Sequence, residues 1–248
     1  MSHHGLTPSW LSSLAVAGLA GTLVMAGCGD GDRAAPASSS PSASSSPTPP
    51  AAAPAEEPSE AEVRNDNFVN KLDGAALLTA LRKGGYVIFF RHGQTEKDYA
   101  DQVSASMGDC STQRMLSEAG WRQAHTIGKA FVDKQIPVGE VFSSQYCRAW
   151  QTADIAFGRY EPRAELNFAP SDDYTDSDVA TMRAGILPFL SEIPQPGTNT
   201  VVVGHDDVFE AATAIYPAPQ GVAYVVAPKG NGQFDLIARI QDGEWALL

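Results

Sequence analysis

Short apolar runs predict the strands of this chain. "YVIFF" and "NTVVVG" are four to six residues long and rich in β-branched and aromatic side chains, which is typical of fully buried strands. "VGEVFSS" predicts a third strand. "VAYVVAP" and "FDLIARI", which are separated by "KGNG", predict a hairpin at one edge of the sheet.

Apolar residues spaced three and four apart predict the helices. "DGAALLTALRKGG" predicts a helix from Asp73 to Lys83, and "LSEAGWRQAHTIGKAFVDKQ" predicts another with Ser117 as its N-cap. Three more are predicted over "QYCRAWQTADIAFG", over "DSDVATMRAGILPFLSEI" with strain or a kink near Pro188, and over "DDVFEAATAIY". Because strands alternate with helices, we expect an α/β fold: a three-layer α/β/α sandwich with a mainly parallel sheet.

The first residues have a different pattern from the rest. "WLSSLAVAGLAGTLVMAGC" is an apolar run that ends in small residues and Cys28, as export signals do. "VMAGC" resembles a bacterial lipobox, which implies that Cys28 is lipidated and that residues 1–28 are a signal peptide. An uncleaved membrane anchor is the alternative, because about 18 apolar residues can just span a bilayer. Either interpretation places the protein outside the cytoplasm, anchored to a bacterial membrane.

The next segment is rich in Ala, Pro and Ser. It contains almost no large apolar residue, so it buries too little surface to offset the entropy lost on ordering. We therefore predict a disordered tether over residues 29–66 and a domain over residues 67–248. The whole chain has 248 residues, 43% of them hydrophobic, and a net charge of -12. That acidic balance argues against nucleic acid as a partner.

Polar residues follow three of the predicted strands. Arg91 and His92 follow "VIFF", Arg148 follows "VFSS" at the start of a helix, and His205 follows "TVVVG". Because ligands bind beyond the carboxyl ends of parallel strands, we expect these side chains to converge. Two guanidinium groups suit the oxygens of a phosphoryl group, and an imidazole can attack its phosphorus.

These residues carry a resemblance to a known family. "RHGQT", "SSQYCRAWQTA" and "VVVGHDD", in this order, resemble motifs of the histidine phosphatase superfamily, also called phosphoglycerate mutase-like. The resemblance implies that His92 is phosphorylated and that Arg91, Arg148 and His205 hold the phosphoryl group. It also implies that Gln94 and Thr95 line the pocket. It implies no metal and no other cofactor, because the arginines and His205 supply the positive charge.

The general acid is the least defined part of the pattern. Many members of the family have a glutamate in an "LxE" stretch, but here Phe168 follows Leu166 and Asn167. Another branch uses an aspartate directly after the second histidine, which predicts Asp206. The alternatives are the other carboxylates nearby: Glu165, Asp172, Asp173 and Asp207.

Two cysteines remain beyond Cys28. Cys110 and Cys147 both flank segments expected to border the pocket, and thiols outside the cytoplasm tend to oxidise in pairs. We predict a Cys110–Cys147 disulfide.

The predicted function is phosphomonoester hydrolysis through a phosphohistidine intermediate. Export argues against a glycolytic mutase and favours a phosphorylated small molecule or envelope component as substrate. A phosphohistidine protein phosphatase is one alternative. A catalytically silent envelope lipoprotein that binds phosphorylated ligands is the other, and the presence of all four core residues argues against it.

Overall fold

A computed structural model describes residues 57–96, 101, 105–170 and 173–248 of the protein. These residues are built on one six-stranded sheet. The strands are β1 (Val87–Arg91), β2 (Val138–Ser144), β3 (Glu161–Arg163), β4 (Asn199–Gly204), β5 (Ala223–Gly230) and β6 (Gln233–Ile240). They lie in the order β3-β2-β4-β1-β5-β6. The first four strands are parallel, and β5 and β6 form an antiparallel hairpin at one edge. The predicted sheet is therefore confirmed.

In the part of the chain that the structure describes, six α-helices connect and cover the strands. They are α1 (Glu60–Asp66), α2 (Gly74–Lys83), α3 (Glu118–Asp133), α4 (Cys147–Phe157), α5 (Asp176–Ser191) and α6 (Asp206–Thr213). Ser117 caps α3 as predicted, because its hydroxyl accepts a hydrogen bond from the Gly120 amide. α5 continues through Pro188 to Ser191. Within the described ranges, no helix is long and apolar enough to cross a membrane.

The helices form two layers because each strand presents alternate side chains to opposite faces. Ile88 and Phe90 of β1 pack with α2, α3 and α4 on one face. Val87 and Phe89 pack with α5 and α6 on the other. The three-layer α/β/α sandwich predicted from the sequence is thus confirmed, and β1 is buried on both of its faces.

The predicted boundary between tether and domain needs a correction. The tether was expected to reach residue 66, but α1 occupies the last seven of those residues and buries Ala61 and Asn65. Polar contacts hold it: the Asn65 amide donates to the Ala218 carbonyl, and its oxygen accepts from the Tyr224 hydroxyl. The composition of the segment did not predict α1 because the helix buries no large apolar residue and is held by the polar contacts of Asn65. The predicted signal peptide over residues 1–28 and the rest of the predicted tether, residues 29–56, lie outside the described residues.

The strand β3 and three short 3-10 helices were not predicted. The 3-10 helices cover Cys110–Thr112, Ala164–Leu166 and Asp242–Leu247, and the last of them buries Trp245 completely. Each is too short to show a periodic pattern in the sequence.

Candidate active site

The ends of three neighbouring strands build the site. β4 lies between β1 and β2, and Arg91 at the end of β1 pairs with Gly204 at the end of β4. Just beyond the strands, the His92 amide donates to the Gly204 carbonyl at 3.0 Å. The rings of His92 and His205 lie 5.4 Å apart. The convergence predicted from the sequence is therefore present.

Hydrogen bonds fix the tautomer of His92. The ring is fully buried, and its Nδ1 lies 2.8 Å from the Gly93 carbonyl. A carbonyl oxygen only accepts, so Nδ1 carries the hydrogen and Nε2 is unprotonated and can accept. The Arg148 Nε donates to that Nε2 at 3.2 Å. His92 is thus held as a neutral imidazole whose nucleophilic nitrogen lies against a guanidinium group.

Arg91 is buried beside the start of α6. Its Nη1 donates to the Pro217 carbonyl, and its Nη2 donates to Asp206 Oδ2 at 2.6 Å. The Tyr216 ring lies 5.0 Å from the centre of the guanidinium group. The Nε is buried without a partner among the described residues. The Nη1 and Nη2 contacts therefore hold the guanidinium group in place, and its Nε–H is available to donate to an anion.

Arg148 lies one residue inside α4 and is 3% exposed. Besides His92, it contacts Asp101 through Nη1 at 2.9 Å. The rings of Tyr146 and Phe168 lie 5.0 and 5.3 Å from its guanidinium carbon. These aromatic faces hold the guanidinium group without consuming its donors.

His205 precedes α6 and is held by the end of β2. Its Nε2 lies 2.8 Å from Ser144 Oγ, whose own hydrogen goes to Asn167 Oδ1. The serine oxygen therefore accepts, and His205 Nε2 carries the hydrogen. The ring's Nδ1 is buried without a partner among the described residues. In the neutral ring this nitrogen is an acceptor, so it donates to an anion only after taking up a proton.

Both histidines are strongly biased towards the neutral form. Burial, followed by the charge of Arg148, lowers the pKa of His92 and that of His205 well below 6.5. Arg114 contributes in the same direction to both. A neutral His92 is what nucleophilic attack requires.

Two adjacent carboxylates lie at the start of α6. Asp206 is bound to Arg91 and its side chain is 14% exposed. Burial, followed by the charge of Asp206, raises the pKa of Asp207, although a hydrogen bond from Tyr174 opposes the shift. Burial likewise raises the pKa of Tyr174. Glu165 and Asp173 are exposed, and Asp172 lies outside the described residues.

An aromatic side chain fills the position where the family pattern has its glutamate. Phe168 stacks on Tyr146 with ring centroids 4.3 Å apart and lies edge-on to His205 at 4.8 Å. In sequence, Phe168 therefore stands where that pattern has its carboxylate.

Gln94 and Thr95 were predicted to line the pocket. Gln94 is exposed, and its backbone N–H donates a hydrogen bond to Gln123 Oε1 at 3.0 Å. Thr95 is buried, and its amide donates to the Gln220 side chain at 2.9 Å. The contacts found for both residues shape the loop after β1, and their role in the pocket stays a prediction.

Sequence reasoning missed Arg114 and Asp101. The Arg114 amide donates to Asp101 Oδ1 at 2.7 Å, and the same carboxylate oxygen accepts from Arg148. Burial, followed by the charge of Arg148, lowers the pKa of Arg114, so a third guanidinium lies among the charged groups of the site. The cysteines were the available signal: a bridge from Cys110 to the residue before Arg148 brings residues 110–114 beside the second arginine.

The predicted disulfide joins Cys110 and Cys147, which are 37 residues apart in sequence. The side chain of Gln113 strengthens the same junction, because its oxygen accepts from the Cys147 amide at 2.8 Å. The bridge thus ties the segment that carries Arg114 to the first turn of α4.

Within the described ranges, no group of three or more His, Cys, Asp or Glu side chains is arranged to hold a metal ion.

A family model matches part of the chain. Residues 87–168 match the histidine phosphatase superfamily, branch 1. The matched segment contains Arg91, His92 and Arg148 and ends at Phe168. His205 and Asp206 lie beyond it and are joined to it by the geometry of the site. No curated protein sequence matches the chain.

The chain is also similar to several solved structures. The protein histidine phosphatase SixA complexed with tungstate is 15% identical, with a TM-score of 0.46, and the match covers 64% of this chain and 98% of that one. A phosphoserine phosphatase mutant from Entamoeba histolytica in complex with phosphoserine is 13% identical, with a TM-score of 0.46, covering 63% and 97%. A mycobacterial glucosyl-3-phosphoglycerate phosphatase is 16% identical, with a TM-score of 0.45, covering 62% and 98%. The assignment of the site rests on the family match and on its geometry.

Proposed function

We propose that this chain, a member of the histidine phosphatase superfamily, hydrolyses phosphomonoesters through a phosphohistidine formed on His92. One observation carries the proposal. Nδ1–H of His92 is held by the Gly93 carbonyl, which leaves the Nε2 lone pair directed at the Arg148 guanidinium. The nucleophilic nitrogen therefore lies beside a cation for the attacked oxygens, and attack begins when the phosphoryl group takes the Arg148 Nε–H from His92 Nε2.

The reaction has two steps. His92 Nε2 attacks phosphorus, the bond from phosphorus to the ester oxygen breaks, and a carboxylic acid donates a proton to the departing alkoxide. Water then attacks the phosphohistidine, its proton returns to the carboxylate, and inorganic phosphate leaves with His92 regenerated. Arg91 and Arg148 stabilise the charge on the phosphoryl oxygens in both steps.

Substrate binding changes the partners of several groups. A phosphoryl dianion between the arginines competes with Asp206 for Arg91 and with Asp101 for Arg148. His205 Nδ1 becomes a donor to the dianion by taking up a proton, since its Nε2–H is already given to Ser144. Binding of phosphate should therefore be coupled to proton uptake.

Asp206 is the proposed general acid. Once the phosphoryl group takes Arg91, the Asp206 carboxylate is left beside two negative charges, which favours its protonation. Asp207 is the alternative, and its raised pKa in the resting site supports it.

We further propose that the enzyme acts outside the cytoplasm, on a phosphorylated envelope component or small molecule, and is lipid-anchored through Cys28. The leader and its lipobox-like "VMAGC" motivate this, and the Cys110–Cys147 disulfide supports it because such bonds persist in oxidising compartments.

A phosphohistidine protein phosphatase is the second candidate. Phe168 at the glutamate position favours it, because the imidazole of a phosphohistidine can take its leaving-group proton from solvent. Hydrolysis of a phosphohistidine peptide by the same protein, compared with a sugar phosphate, separates the two candidates.

The test of the main proposal is the covalent intermediate. Acid-free quench of the enzyme during turnover of p-nitrophenyl phosphate should give a base-stable, acid-labile phosphoryl adduct on the peptide that contains His92. His92→Ala should abolish both the adduct and turnover, whereas replacement of the exposed His125 by Ala should change neither. An adduct that persists in His92→Ala, or turnover by the wild type without any adduct, would contradict the proposal. No hydrolysis of any phosphomonoester or phosphohistidine would instead favour a silent phosphate-binding protein.

A further inference from the structure

A groove runs along α6 next to the phosphate site. Its cavity is about 480 Å³ and lies between α1, α5 and α6. Three lining residues share one face of α6, Asp207, Glu210 and Ala211, and Ala214 extends the lining at the C-cap of the helix. At 1.5 Å per residue, this lining is roughly 10 Å long.

The end of the groove at the start of α6 lies next to the proposed phosphate site. Asp207 follows Asp206, which binds Arg91 at 2.6 Å, and it is hydrogen-bonded to Tyr174, which also lines the groove. A group attached to a phosphoryl held by Arg91 therefore has to pass only one residue of α6 to enter the groove.

The outer wall is α1, the helix that composition assigned to the tether. It contributes Ala61 and Arg64 to the lining. Asn65, which is 1% exposed, fixes the helix: its oxygen accepts from Tyr224 Oη at 2.8 Å and from Arg239 Nε at 3.1 Å, and its amide donates to Ala218. The wall is therefore held in place before any ligand arrives.

The chemistry of the lining selects among leaving groups. Asp207 and Glu210 offer carboxylate oxygens, and the guanidinium of Arg64 is already paired with Glu60 at 2.8 Å. Val179 and Met182 add apolar surface on the α5 side. These carboxylates repel an anion and accept hydrogen bonds from hydroxyl groups, while the apolar wall packs against carbon.

We propose that this groove binds the leaving group of the substrate and that this group is elongated, uncharged and hydroxyl-bearing, as a sugar is. The proposal rests on the proposed phosphatase function. It gives α1 a role in specificity: a helix at the end of the N-terminal segment completes the substrate site.

The experiment compares substrates whose leaving groups differ in size and charge. Acetyl phosphate has a leaving group too small to reach along the groove, glucose 6-phosphate has an uncharged one, and 6-phosphogluconate adds a carboxylate at its far end. Wild-type kcat/KM should be higher for glucose 6-phosphate than for 6-phosphogluconate by about tenfold or more. A preference for 6-phosphogluconate overturns the proposal.

Substitutions locate the effect. Ala211→Phe fills the groove, and Arg64→Ala opens its α1 wall. Both should lower the ratio of kcat/KM for glucose 6-phosphate to that for acetyl phosphate, Ala211→Phe by about tenfold or more. Arg122→Ala is the matched control for Arg64→Ala, because Arg122 also forms an exposed i,i+4 ion pair, with Glu118 on α3.

The outcomes separate the two proposals. If the ratio of kcat/KM for glucose 6-phosphate to that for acetyl phosphate is unchanged in both groove variants, or is lowered equally in Arg122→Ala, the groove proposal is wrong and the phosphatase function still stands. Loss of hydrolysis of all substrates by the wild type would overturn the phosphatase function, and the groove proposal with it.

Discussion

The chemistry of single residues depends here on where each hydrogen lies. The Gly93 carbonyl leaves His92 Nε2 unprotonated, and Ser144 leaves His205 Nδ1 unprotonated. The two rings therefore have opposite tautomers. In the proposed reaction, one is suited to attack phosphorus and the other to accept a proton and bind a phosphoryl oxygen.

The residue that acts as general acid can be identified by comparing substrates whose leaving groups differ in their need for a proton. An alkoxide needs a proton as the P–O bond breaks, whereas p-nitrophenolate leaves without help. Asp206→Asn should therefore lose much of the roughly 10²–10⁴-fold of general acid catalysis on a sugar phosphate, and much less on p-nitrophenyl phosphate. The measurement is kcat for both substrates in Asp206→Asn and Asp207→Asn. Equal loss on both substrates in Asp206→Asn would mean that Asp206 only positions Arg91, and a selective loss in Asp207→Asn would assign the acid to Asp207.

Arg114 should set the pH range of the nucleophile. Its charge helps to lower the pKa of His92, so Arg114→Gln should raise that pKa and move the acid limb of kcat/KM to higher pH, by up to about one unit. Arg114→Lys should keep the limb near its wild-type position. The ionisation of the substrate is the same for all variants, so differences between profiles report on the enzyme. An unmoved limb in Arg114→Gln would contradict this electrostatic role.

At the scale of elements, the site depends on a covalent junction. The Cys110–Cys147 bridge and the Gln113 side chain join the segment before α3 to the first turn of α4. That junction places Arg114 beside Arg148, two residues that lie in different segments of the chain.

Loss of the bridge should affect both stability and binding. It closes a loop of 37 residues, so Cys110→Ser/Cys147→Ser should lower the free energy of unfolding by about 3–4 kcal/mol. KM should also rise, because Arg114 and Arg148 lose their common support. Cys28→Ser is the control and should change neither quantity. In that variant, thiol titration of denatured, unreduced protein should find no free thiol, and two free thiols would show that the bridge does not form.

At the scale of the whole molecule, positively charged side chains gather at one edge of the sheet although the net charge of the chain is negative. The chain carries -12, yet three arginines converge on two neutral histidines at one edge of the sheet. Two of these arginines are paired with Asp206 and Asp101, so a phosphoryl group has to replace carboxylates as their partner.

The buried histidines should make the fold sensitive to acid. Their pKa values are lowered well below 6.5 in the folded state, so below pH 6.5 the unfolded chain binds more protons than the folded one. The free energy of unfolding should therefore fall as pH falls through this window, by up to about 1.4 kcal/mol per pH unit for each histidine. Denaturant unfolding across the window measures the slope. His205→Gln should reduce it and His125→Gln should not; equal slopes in all three proteins would refute the assignment.

The elements and the core of the site could be predicted from the sequence. The central strands were predictable because burial on both faces requires continuous apolar runs, and the helices because burial of one face repeats apolar residues three and four apart. The convergence of Arg91, His92, Arg148 and His205 followed because parallel strands bring their carboxyl ends to one edge. The disulfide followed from the number and positions of the cysteines.

The side chains that fill the space around that core depend on tertiary contacts. Arg114, Asp101 and Phe168 reach the site through a disulfide, a shared carboxylate and aromatic stacking, which join residues far apart in sequence. α1 belongs to the domain because one buried Asn finds partners on β5 and β6. Local patterns record which residues are buried along one element. They do not record which distant side chain completes a hydrogen bond or neutralises a charge, and those pairings decide the tautomers of the histidines and the walls of the groove.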